Sequence, residues 1–274
     1  MLSGAVLAAG ILVLTQPEVA QYALVVQAVR AELPDAQVAD VGDAAACAAA
    51  FQTAPEVAIA VGTKAFDLAK ARLPATPIVA AAVLGPDAGG RADVTAVPLE
   101  PRGAEGLRAL AALAPSVRKV MVIFPPSSAG AVAELKQAAA SSGLTVEFRA
   151  LVELSSFQQL FRSVLAGRDA VWLLPDTRLA RPEIVRFMVS TCLEQRVALV
   201  GFLEAMTRAG ALASVSADFH AIGKVAVRLA AQLREKHAGA VPFEFAAGKV
   251  SVNARTREVL RLPGEVPAGY AVIR

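Results

Sequence analysis

The chain has 274 residues, of which 55% are hydrophobic, 19% are charged and only 5% are aromatic. This is the composition of a well-packed globular protein with one large or two ordinary domains, and it excludes an intrinsically disordered chain. The 27 basic and 24 acidic residues give a formal net charge of +3. Because they form no basic tail or arginine stripe, we expect no nucleic-acid partner.

Few residues of the chain have the character of metal ligands or catalytic groups. Cys47 and Cys192 lie far apart in helix-like stretches, without a CxxC or Cys/His cluster. Buried free thiols are therefore a simpler interpretation than a disulfide, which stays open. His220 and His237 form no metal or triad signature, and no nucleotide-binding loop or nucleophile elbow appears. We predict no metal, no cofactor and no enzyme activity.

The N-terminal segment from Gly4 to Leu14 is apolar and uncharged. It is too short to span a membrane as a helix, and it lacks the basic start of a signal peptide. We interpret Ile11–Thr15 as the first strand. Residues 1–10 are left as a candidate remnant of an export signal.

Strands and helices alternate through the first part of the chain. The predicted elements are strand Ile11–Thr15, helix Gln21–Leu33, strand Gln37–Val41, helix Ala44–Gln52, strand Val57–Val61, helix Lys64–Leu73, strand Pro77–Leu84 and strand Val94–Leu99. Gly62 permits a tight turn, and Thr63 is the predicted N-cap of the next helix. Such a turn offers N–H groups to an anion or a carbonyl, although an ordinary strand-to-helix connection is the alternative. Lys64 opposes the helix dipole there, and it would either pair with an anionic ligand or be solvated.

The alternation restarts after a break at Pro98–Pro101. The predicted elements are helix Gly103–Ala114, strand Lys119–Phe124, helix Ala129–Ser142, strand Thr145–Leu151, helix Phe157–Ala166, strand Ala170–Leu174, helix Pro182–Gln195, strand Val197–Phe202, strand Gly210–Val215, helix Phe219–His237, strand Lys249–Asn253 and helix Ala254–Leu260. We predict no further helix or strand at the end of the chain, which contains proline and glycine.

Repeated strand–helix units predict parallel sheets with right-handed crossovers. Because one sheet of this many strands would be unusually wide, we predict an α/β fold with two doubly wound parallel-sheet lobes. Ligands of such folds bind outside the carboxyl ends of the strands. The candidate ligand-binding residues in those loops are Thr15, Gln16, Gly62, Thr63, Lys64, Val83, Ser127, Ser128, Asp176, Thr177, Phe202 and Asp218.

Several candidates have a structural alternative. Asp176 either binds a ligand ammonium or caps the next helix, and capping is the favoured role of Asp218. Phe202 either stacks on an aromatic ligand or packs in the core, which is the commoner case. Ser127 and Ser128 are most simply helix caps.

The ordered set of motifs resembles the ABC-transporter substrate-binding proteins whose members include tryptophan- and phenylalanine-binding lipoproteins. The matching stretches are AIAVGTKAFDLAK, TPIVAAAVLGPDA, ADVTAVPLEP, VRKVMVIFPPSSAGAVAELKQAAASSGL, AVWLLPDTRL, VALVGFLEAMTRAGALASVSADFHAIGKVAVRLAAQL and KVSVNARTREVLRLPGEVP. The resemblance runs from Ile11 to Val266 and implies the type I periplasmic binding protein fold.

The resemblance also implies how the lobes and the ligand are arranged. It implies a hinge crossed near Val97–Pro101, Val215–Ala217 and Phe245–Lys249. One lobe would hold residues 11–98 and 217–246, and the other lobe, with the hinge tail, would hold residues 99–216 and 247–274. A small molecule, such as an amino acid or related carboxylate, would bind in the interlobe cleft, with its polar group at Gly62 and Thr63.

The resemblance further implies a monomeric, periplasmic or otherwise extracytoplasmic protein, with membrane association left open. Its partner would be the membrane permease of an ABC importer. The alternative is a ligand-sensing or partner-binding module with a diverged cleft and no transport role, because the same fold serves both purposes.

Three loops depart from the family pattern. Pro125-Pro126 stands where members usually have asparagine, and Gly85-Pro86-Asp87 stands where they usually have Asp-Pro. Thr15-Gln16-Pro17 lacks the polar-aromatic character often found in the first loop. These departures indicate a less polar cleft or a different ligand.

Overall fold

The computed structural model describes residues 10–235 and 240–274. The chain divides into two compact units, one formed by residues up to Leu99 with Asp218–Ala246, the other by Glu100–Ala217 with Ala247–Arg274. The chain therefore passes from one unit to the other three times. Residues 1–9 of the predicted export-signal remnant, and the predicted helix end at His237, lie outside the described residues.

The first unit contains a five-stranded parallel sheet with strand order β2-β1-β3-β4-β5. Its elements are β1 (Ile11–Thr15), α1 (Ala20–Glu32), β2 (Gln37–Asp40), α2 (Ala44–Gln52), β3 (Val57–Val61), α3 (Thr63–Arg72), β4 (Ile78–Val83), β5 (Val94–Pro98) and, from later in the chain, α9 (Phe219–Glu235). All residues of β1, β3, β4 and β5 are buried, as expected for parallel strands covered on both faces.

Helix α9 packs closely on α1 in the first unit. A Cβ atom at Gly223 would lie 2.7 Å from the Cβ of Ala28 and 2.7 Å from the carbonyl oxygen of Val25. The absence of a side chain at Gly223 thus allows the two helices to approach. The Arg234 Nη2 atom, in the last turn of α9, lies 2.7 Å from the Glu56 carboxylate before β3.

The second unit contains a seven-stranded sheet with strand order β12-β11-β10-β9-β8-β6-β7. Its elements are α4 (Gly103–Leu113), β6 (Lys119–Phe124), α5 (Ala129–Ala140), β7 (Thr145–Ala150), α6 (Phe157–Leu165), β8 (Ala170–Leu173), α7 (Pro182–Glu194), β9 (Ala198–Gly201), α8 (Glu204–Arg208), β10 (Ala213–Ala217), β11 (Gly248–Asn253), α10 (Ala254–Val259) and β12 (Ala271–Ile273). Three 3₁₀ turns lie at Pro126–Ser128, Leu154–Ser156 and Thr177–Ala180.

Aromatic residues lie between helices of the second unit and between one helix and its sheet. The rings of Phe157 and Phe161 on α6 lie 6.4 Å and 5.9 Å from the ring of Phe187 on α7, in edge-on and tilted arrangements. On α4, a Cβ at Gly106 would lie 2.1 Å from the ring of Trp172 in β8. A glycine at this position therefore lets α4 lie against the single tryptophan.

A buried polar network joins β10, β11, α8 and α10. The hydroxyls of Ser214 and Ser251 lie 2.7 Å apart, and Ser251 donates to the Thr207 hydroxyl at 2.9 Å. The Asn253 amide donates to the Thr207 carbonyl at 2.8 Å, and its oxygen accepts from the Thr256 backbone N–H. Each buried polar group in this network has a partner, so its burial costs little.

The two parallel-dominated sheets with interleaved helices confirm the predicted α/β fold class. Four details of the prediction were wrong. Strand β11 runs antiparallel to β10, the helix α8 and the strand β12 were missed, and β10 begins at Ala213 rather than Gly210. Gly210 has a φ of +115°, and its carbonyl accepts from the Thr256 hydroxyl, so it belongs to the turn before the strand.

Among residues 10–235 and 240–274, no helix combines the length and the apolar character needed to cross a lipid bilayer.

Candidate ligand-binding loops

Within each unit, the candidate residues follow neighbouring strands of the sheet. In the first unit, Thr15 and Gln16 lie at the end of β1, Gly62 to Lys64 follow β3, Val83 ends β4, and Asp218 precedes α9. In the second unit, Ser127 and Ser128 follow β6, Asp176 and Thr177 follow β8, and Phe202 follows β9. The strands β1, β3 and β4 are neighbours, as are β6, β8 and β9. The residues that follow these strands therefore gather at the carboxyl ends of the strands in each sheet.

The turn after β3 is built around Gly62. Its φ of 87° and ψ of 162° fall in a region that only glycine adopts without strain. Gly62 is itself the N-cap and Thr63 is the first helical residue, so the predicted N-cap role of Thr63 is wrong. No side chain caps α3, and its first turn has no acidic residue. The N–H groups at this positive helix end therefore remain for a ligand or solvent.

Tyr22 packs against this turn and was not predicted from the sequence. A Cβ atom at Gly62 would lie 2.5 Å from the Cε2 and Cζ atoms of Tyr22 and 2.6 Å from its hydroxyl. Tyr22 is half-buried, and burial raises the pKa of its phenol. The only sequence signal was its place in the first turn of the helix after β1, where its side chain reaches the neighbouring strand end.

The loop after β1 adds polar groups beside the Gly62 turn. Thr15 is 3% exposed, and its hydroxyl has no hydrogen-bond partner among the described residues. The Gln16 amide donates to the Glu18 carboxylate at 3.0 Å. The pKa of Glu18 is lowered by a backbone hydrogen bond, then by Gln16, with the positive charge of Lys64 adding to the effect. The two loops thus share one electrostatic environment.

The end of β4 carries an irregular backbone. The pairing of β4 with β5 shifts register between Ala81 and Val83, and Ala82 has a φ of 57°. An alanine in the left-handed region is strained, and such strain clusters at functional sites. Val83 itself is buried, and its carbonyl accepts from the Leu99 N–H at 3.0 Å.

Asp218 acts as the cap of α9. Its carboxylate accepts from the backbone N–H groups of His220 at 3.0 Å and Ala221 at 3.2 Å. The favoured capping role is confirmed.

Asp176 is held by an arginine two residues further along the chain. Its Oδ1 atom accepts from the Arg178 backbone N–H at 2.9 Å and from Nε at 3.0 Å, and its Oδ2 atom accepts from Nη2 at 2.8 Å. Arg178 also donates to the carbonyls of Leu151 and Val152. Asp176 is 5% exposed, so this is a largely buried carboxylate with its charge matched inside the unit. Thr177, the next residue, is exposed and begins the 3₁₀ turn.

The predicted caps after β6 are wrong. Ser128 occupies the N-cap position of α5, but its hydroxyl makes no cap hydrogen bond and instead donates to the buried Glu100 carboxylate at 2.7 Å. Ser127 is exposed and lies inside the 3₁₀ turn. Phe202 is 6% exposed and packs in the core of the second unit, as its structural alternative stated.

The second unit also has an open cavity of about 530 Å³ at the carboxyl ends of β6 and β7. It is lined by Phe124, Phe148, Arg149, Ala150, Val152, Glu153, Ser156 and Leu160. None of these residues was predicted from the sequence, because β7 alternates like any half-exposed strand and its loop carries no motif.

Both cysteines are buried free thiols, which agrees with the simpler of the two interpretations. Burial raises the pKa of Cys192 to about 12, and burial together with Asp40 and Asp43 raises the pKa of Cys47. Neither thiol is therefore prone to ionise near neutral pH. Within residues 10–235 and 240–274, no group of three His, Cys, Asp or Glu side chains is placed to hold a metal ion.

The family model described as ABC transporter substrate binding protein matches residues 34–260, and the chain belongs to this family. The family consists of binding proteins, so the prediction that the chain is not an enzyme is confirmed. No curated protein shows significant sequence similarity to the chain.

Solved structures share the fold over nearly the whole chain. The ABC domain from Streptococcus pneumonia in complex with L-Trp is 22% identical, with a TM-score of 0.60 and coverage of 96% of this chain and 100% of that chain. An open, ligand-free substrate-binding protein with adhesive properties from Clostridium difficile is 15% identical, with a TM-score of 0.70 and coverage of 96% and 98%. A periplasmic ribose ABC transporter from Conexibacter woesei is 13% identical, with a TM-score of 0.54 and coverage of 93% and 95%. These matches confirm the predicted type I periplasmic binding protein fold.

Proposed function

We propose that the chain binds an amino acid or a related small carboxylate and delivers it to the membrane permease of an ABC importer. Family membership supports a small-molecule ligand and a permease partner. The similar fold bound to L-Trp supports an amino acid as the ligand class. We also propose an extracytoplasmic location, which the importer role requires.

The observation that carries the proposal is the uncapped start of α3. Gly62 turns the backbone in a glycine-only conformation, and no side chain of the described residues occupies the cap position. A carboxylate placed there would accept from the free N–H groups of the first turn and meet the positive end of the helix dipole. The exposed Lys64 adds a positive charge at the same helix end.

Two further groups of the first unit suit the remainder of such a ligand. The unpartnered hydroxyl of Thr15 lies at the end of β1, which pairs directly with β3. The Tyr22 ring lies against Gly62 and offers an aromatic surface with a polar tip. In the second unit, Ser127 and Thr177 are the exposed candidates that carry a hydroxyl group.

A thermal-shift screen of the full chain tests the ligand class. Amino acids, other small carboxylates, nucleosides and sugars would be compared at matched concentrations. A ligand at a hundred times its dissociation constant stabilises the native state by about 2.7 kcal/mol, which raises Tm by about 5 °C for a chain of this size. A rise confined to carboxylates supports the proposal, whereas a rise with sugars alone contradicts it.

A matched pair of variants at Thr63 tests the binding site. Proline is well tolerated at the first position of a helix, so Thr63→Pro removes one N–H group while leaving α3 intact. Thr63→Ala removes the side chain and keeps that N–H group. We expect Thr63→Pro to weaken carboxylate binding at least tenfold, as for the loss of a charge-assisted hydrogen bond of about 1.5–3 kcal/mol. Isothermal titration calorimetry would measure both, and equal affinities would place the carboxylate elsewhere.

A further inference from the structure

The strand β7 is an open edge of the second unit's sheet. It is the last strand in the order β12-β11-β10-β9-β8-β6-β7, and each of its six residues is exposed or half-buried. The other edges are shorter or covered. Strand β12 has three residues and β2 has four. On β5, the Ala96 carbonyl accepts from the Glu244 N–H at 3.0 Å.

The hydrogen-bonding phase of β7 fixes which backbone groups face outward. On the side facing β6, the Thr145 N–H donates to the Arg118 carbonyl and the Leu151 N–H donates to the Phe124 carbonyl, each at 2.8 Å. Because strand residues alternate, Glu147 and Arg149 also turn their backbone groups toward β6. The N–H and C=O groups of the even-numbered residues from 146 to 150 therefore face the open edge. Within the described part of the chain, no backbone hydrogen bond reaches them.

We propose that two copies of this chain pair through β7, antiparallel and centred on Phe148, so that the two sheets become continuous. In this register Phe148 faces the partner's Phe148, and Val146 faces the partner's Ala150. These are the positions with outward backbone groups, so each forms a hydrogen-bonded pair. The pairing replaces the monomer expected from the sequence.

The charges of β7 are complementary in this register. Glu147 lies opposite the partner's Arg149, and Arg149 lies opposite the partner's Glu147. These are non-hydrogen-bonded pairs, in which Cα atoms come within about 4.5 Å and side chains meet most closely. Charged residues normally protect an edge strand against pairing. Here the two charges have opposite signs and are placed symmetrically about Phe148, so they favour pairing with an identical strand.

Neighbouring registers lack this match. A centre on Glu147 or on Arg149 would keep the outward groups but place Glu147 opposite the partner's Glu147, or Arg149 opposite the partner's Arg149. A centre on Ala150 would keep the outward groups but place Glu147 opposite the partner's Glu153. A centre on Val146 would leave Glu147 facing the partner's Thr145. The Phe148-centred register is the one that pairs both charges and uses all the outward groups.

The existing contacts of β7 leave room for this pairing. Glu147 Oε2 lies 2.7 Å from Arg168 Nη2, and the Glu147 side chain is 50% exposed, so its carboxylate can accept a second donor. Arg149 is exposed. The Lys136 ammonium lies 5.4 Å from the centre of the Phe148 ring and covers one face of it.

Sedimentation velocity of the full chain and three variants tests the pairing. We expect the wild-type chain to sediment as a concentration-dependent dimer. Glu147→Arg and Arg149→Glu each place like charges opposite each other and should raise the dissociation constant at least tenfold. The doubly swapped chain carrying both substitutions restores opposite charges across the edge and should dimerise again.

Two controls separate pairing from other effects. Arg255→Glu changes the same charge at an exposed position of α10 and should leave the dimer unchanged. Far-UV circular dichroism and the Tm of each variant show whether it folds. Phe148→Pro removes an outward N–H group and leaves the hydrogen bonds between β7 and β6 in place. A wild-type chain that stays monomeric at every concentration overturns the proposal. So does a double variant that fails to recover the dimer while it remains folded.

Discussion

The turns after β3 and after β8 occupy equivalent positions in their sheets but satisfy their polar groups in opposite ways. After β3, Gly62 leads into α3 with no side-chain cap and no acidic residue in the first turn. After β8, Asp176 caps the 3₁₀ turn and is bound by Arg178 through both carboxylate oxygens. One turn leaves backbone donors open, and the other has its charge matched within the protein.

A ligand can gain binding energy at the Gly62 turn but not at Asp176. At the Gly62 turn, a carboxylate would make hydrogen bonds that the protein does not make for itself. At Asp176, a ligand ammonium would have to displace the Arg178 guanidinium, which is also anchored to the carbonyls of Leu151 and Val152. We therefore expect substitutions at Gly62 to affect binding and stability together, and substitutions at Asp176 to affect stability alone.

The largest effect on stability is expected for Gly62→Ala, in the uncapped turn after β3. The added Cβ meets Tyr22 at 2.5 Å and forces alanine into a glycine-only backbone conformation. Overpacking and strain together should lower the free energy of unfolding by about 2–5 kcal/mol, measured by urea denaturation. Adding Tyr22→Ala should recover the packing part but not the backbone part. If Gly62→Ala left the free energy of unfolding unchanged, the turn would tolerate a side chain, and this would argue against its role in binding.

Removing the Asp176 carboxylate from the turn after β8 should have an intermediate effect on stability. Asp176→Ala leaves Arg178 without its partner and the 3₁₀ turn without its cap, which should cost about 1–3 kcal/mol in unfolding free energy. Asp176→Asn keeps an acceptor for the Arg178 N–H and should cost less. Ligand affinity, measured by calorimetry, should match the wild type for both variants. Weaker binding with unchanged stability would instead assign Asp176 to the ligand.

The smallest effect on stability is expected for Lys64→Glu, which tests the effect of charge at the start of α3. A negative charge in the first turn of α3 suits the helix dipole and should stabilise the chain by about 0.3–1 kcal/mol. The same charge repels a bound carboxylate, so affinity should fall. Lys70→Glu, in the last turn of the same helix, is the control, since it should destabilise the chain and leave binding unchanged. Tighter carboxylate binding by Lys64→Glu would contradict the proposed site.

Most of the fold could be predicted from the sequence because buried parallel strands are continuous apolar runs. Val57–Val61 and Lys119–Phe124 were predicted to the residue on this basis. The antiparallel direction of β11 could not be predicted in this way, since it depends on tertiary contacts. Its side chains Ser251 and Asn253 bond to Thr207 and Ser214, which lie far earlier in the chain.

The candidate loops could be predicted only as strand ends, not as arrangements of side chains. The sequence placed Gly62 at a tight turn, which its backbone confirms, but it gave Thr63 the wrong role, because capping preference does not reveal where the first helical residue falls. It missed Tyr22 because a contact between adjacent strand ends has no signal in either segment. Ser128 looked like a cap, and its hydroxyl instead bonds to Glu100, a preference that appears only when both are buried.

The three passages of the chain between its units affect how the protein is made. Helix α9 packs on α1 and contacts β3, β4 and β5, yet it is translated only after the whole of Glu100–Ala217. Strands β11 and β12 of the second unit come later still. Neither unit can finish folding on the ribosome until nearly all of the polypeptide has emerged. A nascent chain of this design stays incompletely folded through most of its synthesis.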